Sequence, residues 1–321
     1  MPRTQQPKPT WVRIAGGACY GITCILSLGI GSIAGWINTS TVARTVVMQR
    51  LKNTPPQEAW GGRDSVNLLV LGCDEDRYYR GISILDHQAR SDMMLVAKLD
   101  FKNNCVTGVS IPRDTLAAPK GFRRQKINAY HKIGGPALSK KAVESILPVQ
   151  IDRVVVLNYG AFEQMVDMVG GVTLDVPKKM DYDDNAGGLH IHFKPGMQHL
   201  GGDDAVGFVR FRHSDDDYHR QARQKEFLVA FKNSVMRHPG LLPAVAEKAR
   251  DVMGRSLSPD EIASLALFVK GVGNNSIKMG MIPTVAAGGS NLRIDRHKLP
   301  KVLGQFGLAD NRLESAVTMN R

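Results

Sequence analysis

The chain has 321 residues, 43% of them hydrophobic, and 42 lysines and arginines against 30 acids, for a formal net charge of +12. That length and apolar content bury a full core and suit one large domain with an appendage better than two domains. Six basic residues and no acid precede Glu58, so the remainder is only mildly basic, 36 against 30, which argues against a DNA-coating surface.

From Ile14 to Ile37 there is no charge, and a run of that length exceeds the roughly 20 residues that cross a bilayer. Its glycines, Gly16, Gly17, Gly21, Gly29, Gly31 and Gly35, would weaken a soluble helix but are tolerated in membrane. The segment reads as an N-terminal transmembrane helix over 14–37 behind a tail over 1–13. A cleaved signal peptide is the rival reading, and the apolar part is long for one. Arg3, Lys8 and Arg13 nearly balance Arg44, Arg50 and Lys52 across the run, so charge alone leaves the orientation open. Residues 38–64 read as a stalk, helical at first and then broken by Pro55-Pro56 and Gly61-Gly62. The folded domain is expected over 65–308, with a frayed tail over 309–321.

Within that domain, SVNLLVLGCDED is a short apolar strand running into an acidic turn, the place where α/β folds put ligand groups. ARSDMMLVAKLDF and CVTGVSIPRDT are two further strands, separated by a turn at Lys102-Asn103-Asn104. A Gly-Gly-Pro break precedes the helix ALSKKAVESIL, and DRVVVLNYGAFEQMVDMVGGVTLDVP reads strand, helix, glycine turn, strand. GLHIHFKPGMQHL reads as a hairpin that leads into a strand at Phe208-Val209-Arg210-Phe211, and QARQKEFLVAFKNSV has the apolar spacing of a helix. Ser258-Pro259-Asp260-Glu261 is a capping box that opens a helix reaching about Lys270. SIKMGMIPT is a late strand and DRHKLPKVLGQF a last helix. Strands and helices mix throughout, so the class is α/β or α+β. The sequence shows no internal repeat, P-loop or GxGxxG fingerprint.

Chemistry concentrates between Phe208 and Leu228, where Arg210, Arg212, Arg220 and Arg223 stand beside Asp215, Asp216 and Asp217, followed by Gln224. On a strand Arg210 and Arg212 share a face; on a helix so do Arg220 and Gln224. Guanidinium groups converging on one point suit bidentate recognition of phosphate oxygens, whereas an isolated run of this kind is a solvated face of weak ion pairs. Other polar residues stand at strand ends: Asp74 after the first strand, Arg90 and Asp92 at the start of the second, Arg113 after the third, and Lys126 beyond it. Carboxylates from neighbouring strands suit Mg²⁺, which completes its shell with water and phosphate oxygens. His190 and His192 fit a metal site, but the inward alternation of Leu189, Ile191 and Phe193 turns both outward on a solvent-facing hairpin. Two cysteines, Cys73 and Cys105, decide nothing about a disulfide.

The segments LLVLGCDED, ARSDMMLV, SIPRDT, KINAY with GGP, VVLNYGAFEQMVDMVGGVTLDV and VRFRHSDDDYHRQARQ follow one another in an order and spacing that resemble the LytR-CpsA-Psr family, over roughly Ser65 to Ser234 and more weakly to Phe306. The resemblance implies a central mixed sheet with helices on both sides and a single-pass anchor that places the catalytic domain outside the cytoplasm. It implies a phosphotransferase that moves a glycopolymer from a polyprenyl-pyrophosphate carrier to a cell-wall acceptor such as a peptidoglycan hydroxyl. Position by position, it implies Asp74 and Asp92 as the Mg²⁺-associated acids. It gives Arg90, Arg113, Lys126, Arg210, Arg212, Arg220 and Gln224 as the pyrophosphate-binding set, with Asp217 as a further acid. Met93 stands where the family has threonine, His219 stands where it has glycine, and the acidic turn lacks the family's proline.

For the general base, Asp92 is the first candidate and Asp217 the second. A hydrolase using the same site, with water as nucleophile, is the alternative. A nucleic-acid-binding regulator is disfavoured, because no helix-turn-helix or RNA-binding signature is present.

Overall fold

The computed structural model describes residues 40–52, 54–73, 76–79, 82–85, 90–184, 189–211, 217–253 and 256–309; the expected membrane span at 14–37 lies outside them. Among the described residues no helix is long and apolar enough to cross a membrane.

Five strands form the central sheet: β1 (Ser65–Cys73), β4 (Ser91–Asp100), β5 (Cys105–Ser110), β8 (Arg153–Asn158) and β13 (Ile277–Met281), in the order β13-β5-β4-β1-β8. β1 runs parallel to β8 and β5 to β13, while β4 is antiparallel to both β1 and β5. The sheet is therefore mixed, and the carboxyl ends of β1, β5, β8 and β13 share one edge with the start of β4. Period-two alternation splits the apolar residues between the faces. Leu69, Leu71, Met94, Val96 and Val109 meet helix α2 (Ala129–Glu144) and helix α8 (Leu299–Gln305) on one side. Val66, Leu68, Leu99 and Val155 on the other face meet α1 (Thr41–Lys52), α6 (Leu242–Met253) and α7 (Pro259–Gly271). Helices thus cover both faces, as the class requires. The capping box at Ser258 is formed as expected, with Ser258 Oγ accepting from the Glu261 amide at 3.1 Å and Glu261 Oε2 accepting from the Ser258 amide at 2.8 Å.

A second apolar cluster lies beside the sheet. It is built from α3 (Tyr159–Met168), α4 (Gly202–Arg210), α5 (Asp217–Arg237) and two strand pairs. β9 (Val172–Val176) pairs with β12 (Gly196–Leu200), and β10 (Met180–Asp184) pairs with β11 (Leu189–Phe193).

Three expectations need correction. The stalk expected over 38–64 is packed against the domain where it is described, because Val42, Val46 and Trp60 are buried in the core and Trp60 Nε1 donates to Ser264 Oγ of α7 at 2.9 Å. The segment from Leu189 to Leu200 is not one hairpin, since its two strands pair with β10 and β9 instead of with each other. Phe208-Val209-Arg210 is the last turn of α4 and not a strand. The helix wins because Asp203 and Asp204 occupy its first turn, where they favour the positive end of the backbone dipole. The Gly202 amide also donates to Asp167 Oδ1 at 2.7 Å, and the absence of a Cβ there lets α4 lie against the backbone of Glu163. Arg210 accordingly projects from a helix terminus, and Arg212, the expected partner on its strand face, lies outside the described residues.

Both described cysteines are free. Cys73 ends β1 while Cys105 begins β5, so the two stand at opposite edges of the sheet.

Candidate active site

The candidate site lies on the edge where the parallel strands end, the edge at which open α/β sheets place their ligands. Its first carboxylate is set by an irregularity. Gly72 pairs with Met93 and Cys73 with Ser91, which leaves Asp92 as the extra residue of a register shift. Bulges of this kind re-aim a side chain next to a functional site. Asp92 Oδ1 accepts from Arg113 Nη1 at 2.6 Å. Arg113 follows β5 and is 41% exposed in its side chain, so its guanidinium remains open to a ligand.

The network continues through a residue that the sequence reading left without a role. Asp114 Oδ1 accepts from Lys126 Nζ at 2.6 Å, and its other oxygen lies 3.9 Å from Arg113 Nε. Lys126 sits on β7 (Gln125–Lys126), paired with β6 (Leu116–Ala117), and its ammonium also donates to Ser290 Oγ at 2.8 Å. Asp92, Arg113, Asp114 and Lys126 therefore form one continuous chain of opposite charges. The signal for Asp114 was its place in Pro112-Arg113-Asp114-Thr115.

Three buried side-chain oxygens near this chain in sequence have no hydrogen-bond partner among the described residues: Ser91 Oγ, next to Asp92, Thr115 Oγ1, next to Asp114, and Asn128 Oδ1, two residues past Lys126. Buried polar atoms are nearly always satisfied, and three of the four such atoms among the described residues, Gln57 Oε1 being the fourth, fall within two residues of the charged chain in sequence.

Gln224 reaches the same edge from α5, where its Oε1 accepts from Ser110 Oγ, at the end of β5, at 3.4 Å. Arg210 lies over the ring of Tyr159, 4.2 Å from its centroid, a cation–π contact that fixes the guanidinium at the end of α4. Tyr159 follows Asn158, which pairs with Cys73 at the end of β1. Arg90 is exposed immediately before β4.

Arg223, grouped by sequence with the converging arginines, has a different place. It is 2% exposed, donates Nε to the Phe208 carbonyl at 3.2 Å, and bonds the Phe211 carbonyl through Nη2. Burial lowers its pKa to about 10. Its work is to hold the end of α4 against α5. The periodicity carried that signal, because Arg223, Phe227, Ala230 and Ser234 recur on one helical face and all are buried.

Asp217 and Arg220 lie in the first turn of α5, described in backbone alone, while Asp74 and Arg212 lie outside the described residues. His190 and His192 face outward as expected, but they bond Asp183 and Asp181 on the neighbouring strand, at 2.6 and 2.7 Å. Among the described residues no cluster of three or more His, Cys, Asp or Glu forms a cage for a metal ion.

A mixed sheet with helices on both faces, and a guanidinium, an ammonium and two carboxylates linked at its strand ends, define an α/β domain equipped to hold a polar anion. Comparison with known proteins narrows this class. The model of the LytR_cpsA_psr family matches residues 36–303, and the chain belongs to the LytR-CpsA-Psr family. One relative, the polyisoprenyl-teichoic acid–peptidoglycan teichoic acid transferase TagU of Bacillus cereus strain AH820, is 36% identical over 65% of this chain and 67% of its own length. The corresponding transferase TagV of Bacillus subtilis strain 168 is 32% identical over 66% of this chain, a match that spans only 54% of that relative. Among solved structures, B. subtilis TagV aligns with a TM-score of 0.59 at 28% identity, over 76% of this chain and 96% of the other. A structure of TagT bound to LIIa-WTA aligns with a TM-score of 0.59 at 26% identity, over 77% and 92%.

Proposed function

We propose that this protein transfers a glycopolymer from a polyprenyl-pyrophosphate carrier to a peptidoglycan hydroxyl, forming a phosphodiester and releasing polyprenyl phosphate. The observation that carries the reading is the Asp92–Arg113–Asp114–Lys126 chain at the sheet edge, in a member of a family whose similar relatives are named for this transfer.

The acceptor oxygen attacks the phosphorus nearer the sugar, the bond from that phosphorus to the bridging oxygen breaks, and polyprenyl phosphate leaves with the bond's electrons. Arg113 and Lys126 neutralise the pyrophosphate, while Asp92 and Asp114 fix their directions so that little reorganises during reaction. Arg90, Arg210, Arg212, Arg220 and Gln224 complete the pyrophosphate-binding set. The hydroxyl proton goes to a carboxylate, with Asp92 as first candidate and Asp217 as second.

The donor set also fits Mg²⁺, because the sheet pairing of Cys73 with Ser91 brings the backbone just before Asp74 opposite the backbone just before Asp92, two carboxylates from neighbouring strands. Asp74 and Asp92 would hold the ion, which when bound supplies further neutralisation of the pyrophosphate. Residues 14–37 serve as the anchor, with the domain on the outer face of the membrane.

The test is transfer from a polyprenyl-pyrophosphate-linked disaccharide to peptidoglycan oligomers, with Arg113→Ala as the variant. Losing one charge-assisted bond of roughly 1.5–3 kcal/mol predicts about a ten- to hundredfold fall in turnover, with the thermal melt little changed. Wild-type turnover in a folded Arg113→Ala protein would remove that residue from the site. Release of the disaccharide phosphate without acceptor product would instead establish the hydrolase.

A further inference from the structure

A cavity of about 510 Å³ begins where the charged chain ends, lined by Leu116, Arg124, Arg293, Asp295, Arg296 and His297 among others. Its continuity with the site follows from backbone pairing. Leu116 pairs with Lys126, and Thr115 bridges to Leu292. The Leu292 amide donates to the Asp114 carbonyl at 3.0 Å. Leu292 opens β15 (Leu292–Ile294), which carries Arg293 outward, and Ser290 just before it holds the Lys126 ammonium. Arg124 stands two residues before Lys126. The cavity is thus walled by β6, β7 and β15, which adjoin Asp114 and Lys126.

Its charge is one-sided. Arg124, Arg293, Arg296 and His297 are exposed, and among the described residues none of them pairs with a carboxylate. The lone lining acid, Asp295, is occupied by its own backbone: Oδ1 accepts from the amides of His297 and Lys298, at 3.0 and 3.3 Å. Leu116, Ile146, Val285 and Ile294 supply an apolar surface. The volume falls within the roughly 300–1,000 Å³ of pockets that take small organic ligands. An apolar floor under three arginines and a histidine suits a sugar-sized unit bearing more than one anionic group.

We infer that this cavity is a subsite for an anionic glycan segment, phosphate- or carboxylate-bearing, one or more units away from the reacting pyrophosphate. The inference rests on the transfer reading above and adds how the enzyme selects its polymer or its acceptor. Phosphates would come from the repeats of the donor polymer, and carboxylates from the stem peptides of the acceptor; the recognising chemistry is the same for both.

The experiment measures binding by calorimetry on the full chain in detergent, so that no turnover is needed. The probes are a short glycerol-phosphate oligomer, a muropeptide with free carboxylates, the same muropeptide amidated, and single-stranded DNA of matched charge. The variant is Arg293→Glu/Arg296→Glu, with Arg293→Ser/Arg296→Ser as the milder form should the reversal fail to fold. The wild type is expected to bind at least one anionic glycan probe, and the folded variant about tenfold more weakly, from two exposed charge contacts. The amidated muropeptide should not distinguish the two proteins. A loss confined to the glycerol-phosphate oligomer assigns the cavity to the donor, and one confined to the free muropeptide assigns it to the acceptor. No binding of either anionic probe, equal binding by a folded variant, or equally tight binding of the DNA overturns the inference. Turnover of a polyprenyl-pyrophosphate-linked disaccharide with uncharged sugars onto an amidated acceptor, run alongside, should be equal in variant and wild type. Absence of that turnover in the wild type would sink the transfer reading and leave the calorimetric result to judge the cavity.

Discussion

Arg223 and Arg113 show how one residue type does two jobs within a single fold. Arg113 is open to a ligand and held by a carboxylate, whereas Arg223 is buried and spends its donors on the carbonyls of Phe208 and Phe211. Arg223→Met would keep the apolar stem and leave those buried acceptors unpaired. The expected loss is about 1–3 kcal/mol of stability, read as a lower denaturant midpoint; an unchanged midpoint would mean that the two bonds contribute nothing. His192 on β11 carries a pH dependence. His192 is raised above its ordinary 6.5, first by its bond to Asp181, and then by the negative Asp183 against some opposing desolvation. Asp181 and Asp183 are lowered below their ordinary 3.8, first by their bonds to Lys179 and His190 respectively. A raised base stabilises below its unfolded pKa and is lost as pH climbs through its folded one. A lowered acid stabilises above 3.8 and is lost as pH falls through its folded value. The β10–β11 pair should therefore be firmest between about pH 4 and 6.5 and loosen above it. Amide exchange of β10 and β11, corrected for intrinsic rates, should show protection falling above pH 6.5, and His192→Gln should abolish that dependence.

Close approaches between elements decide what single glycines permit. The distal end of the Phe306 ring abuts Gly280 of β13, where a methyl would come within 2.2 Å of it. Gly280→Ala must displace α8 or rotate the ring, and overpacking of that kind costs about 1–3 kcal/mol. A thermal melt equal to wild type would show that the helix gives way freely. The strands of the central sheet and most of its helices could be read from apolar alternation and from Ser258-Pro259-Asp260-Glu261, because burial on both faces of a sheet writes itself into the sequence. The strand expected at Phe208 is a helix because a short stretch with three apolar residues in four fits either period, and burial under α5 decided the outcome. Strand pairing failed for a different reason. Leu189 to Leu200 contains two strands a short loop apart, yet each finds its partner in a different strand, a choice made by tertiary packing. At the site, Asp92, Arg113 and Lys126 stood out as charges at strand ends. Asp114 and Tyr159 did not, because their roles depend on which side chain each one meets.

The whole molecule is closed by a segment that looked dispensable. α1 and Trp60 cover one face of the sheet, so a chain beginning at Ser65 would expose the apolar groups that Val42, Val46 and Trp60 bury. With about 1.5–3 kcal/mol for each fully buried large side chain, the truncated domain should melt well below one that begins at residue 40, or aggregate. Equal melts would restore the stalk. The same packing changes what the proposed anchor does. With a membrane helix ending at residue 37 and α1 beginning at Thr41, the three residues between them span about 10 Å at full extension. A tether that short, fastened directly to the sheet's covering helix, acts as a fixed mount and not as a leash. On the proposed anchor, the sheet edge that bears Asp92 and Arg113 would stay close to one height above the bilayer, and reaching new wall would require diffusion in the plane of the membrane instead of swinging from a point.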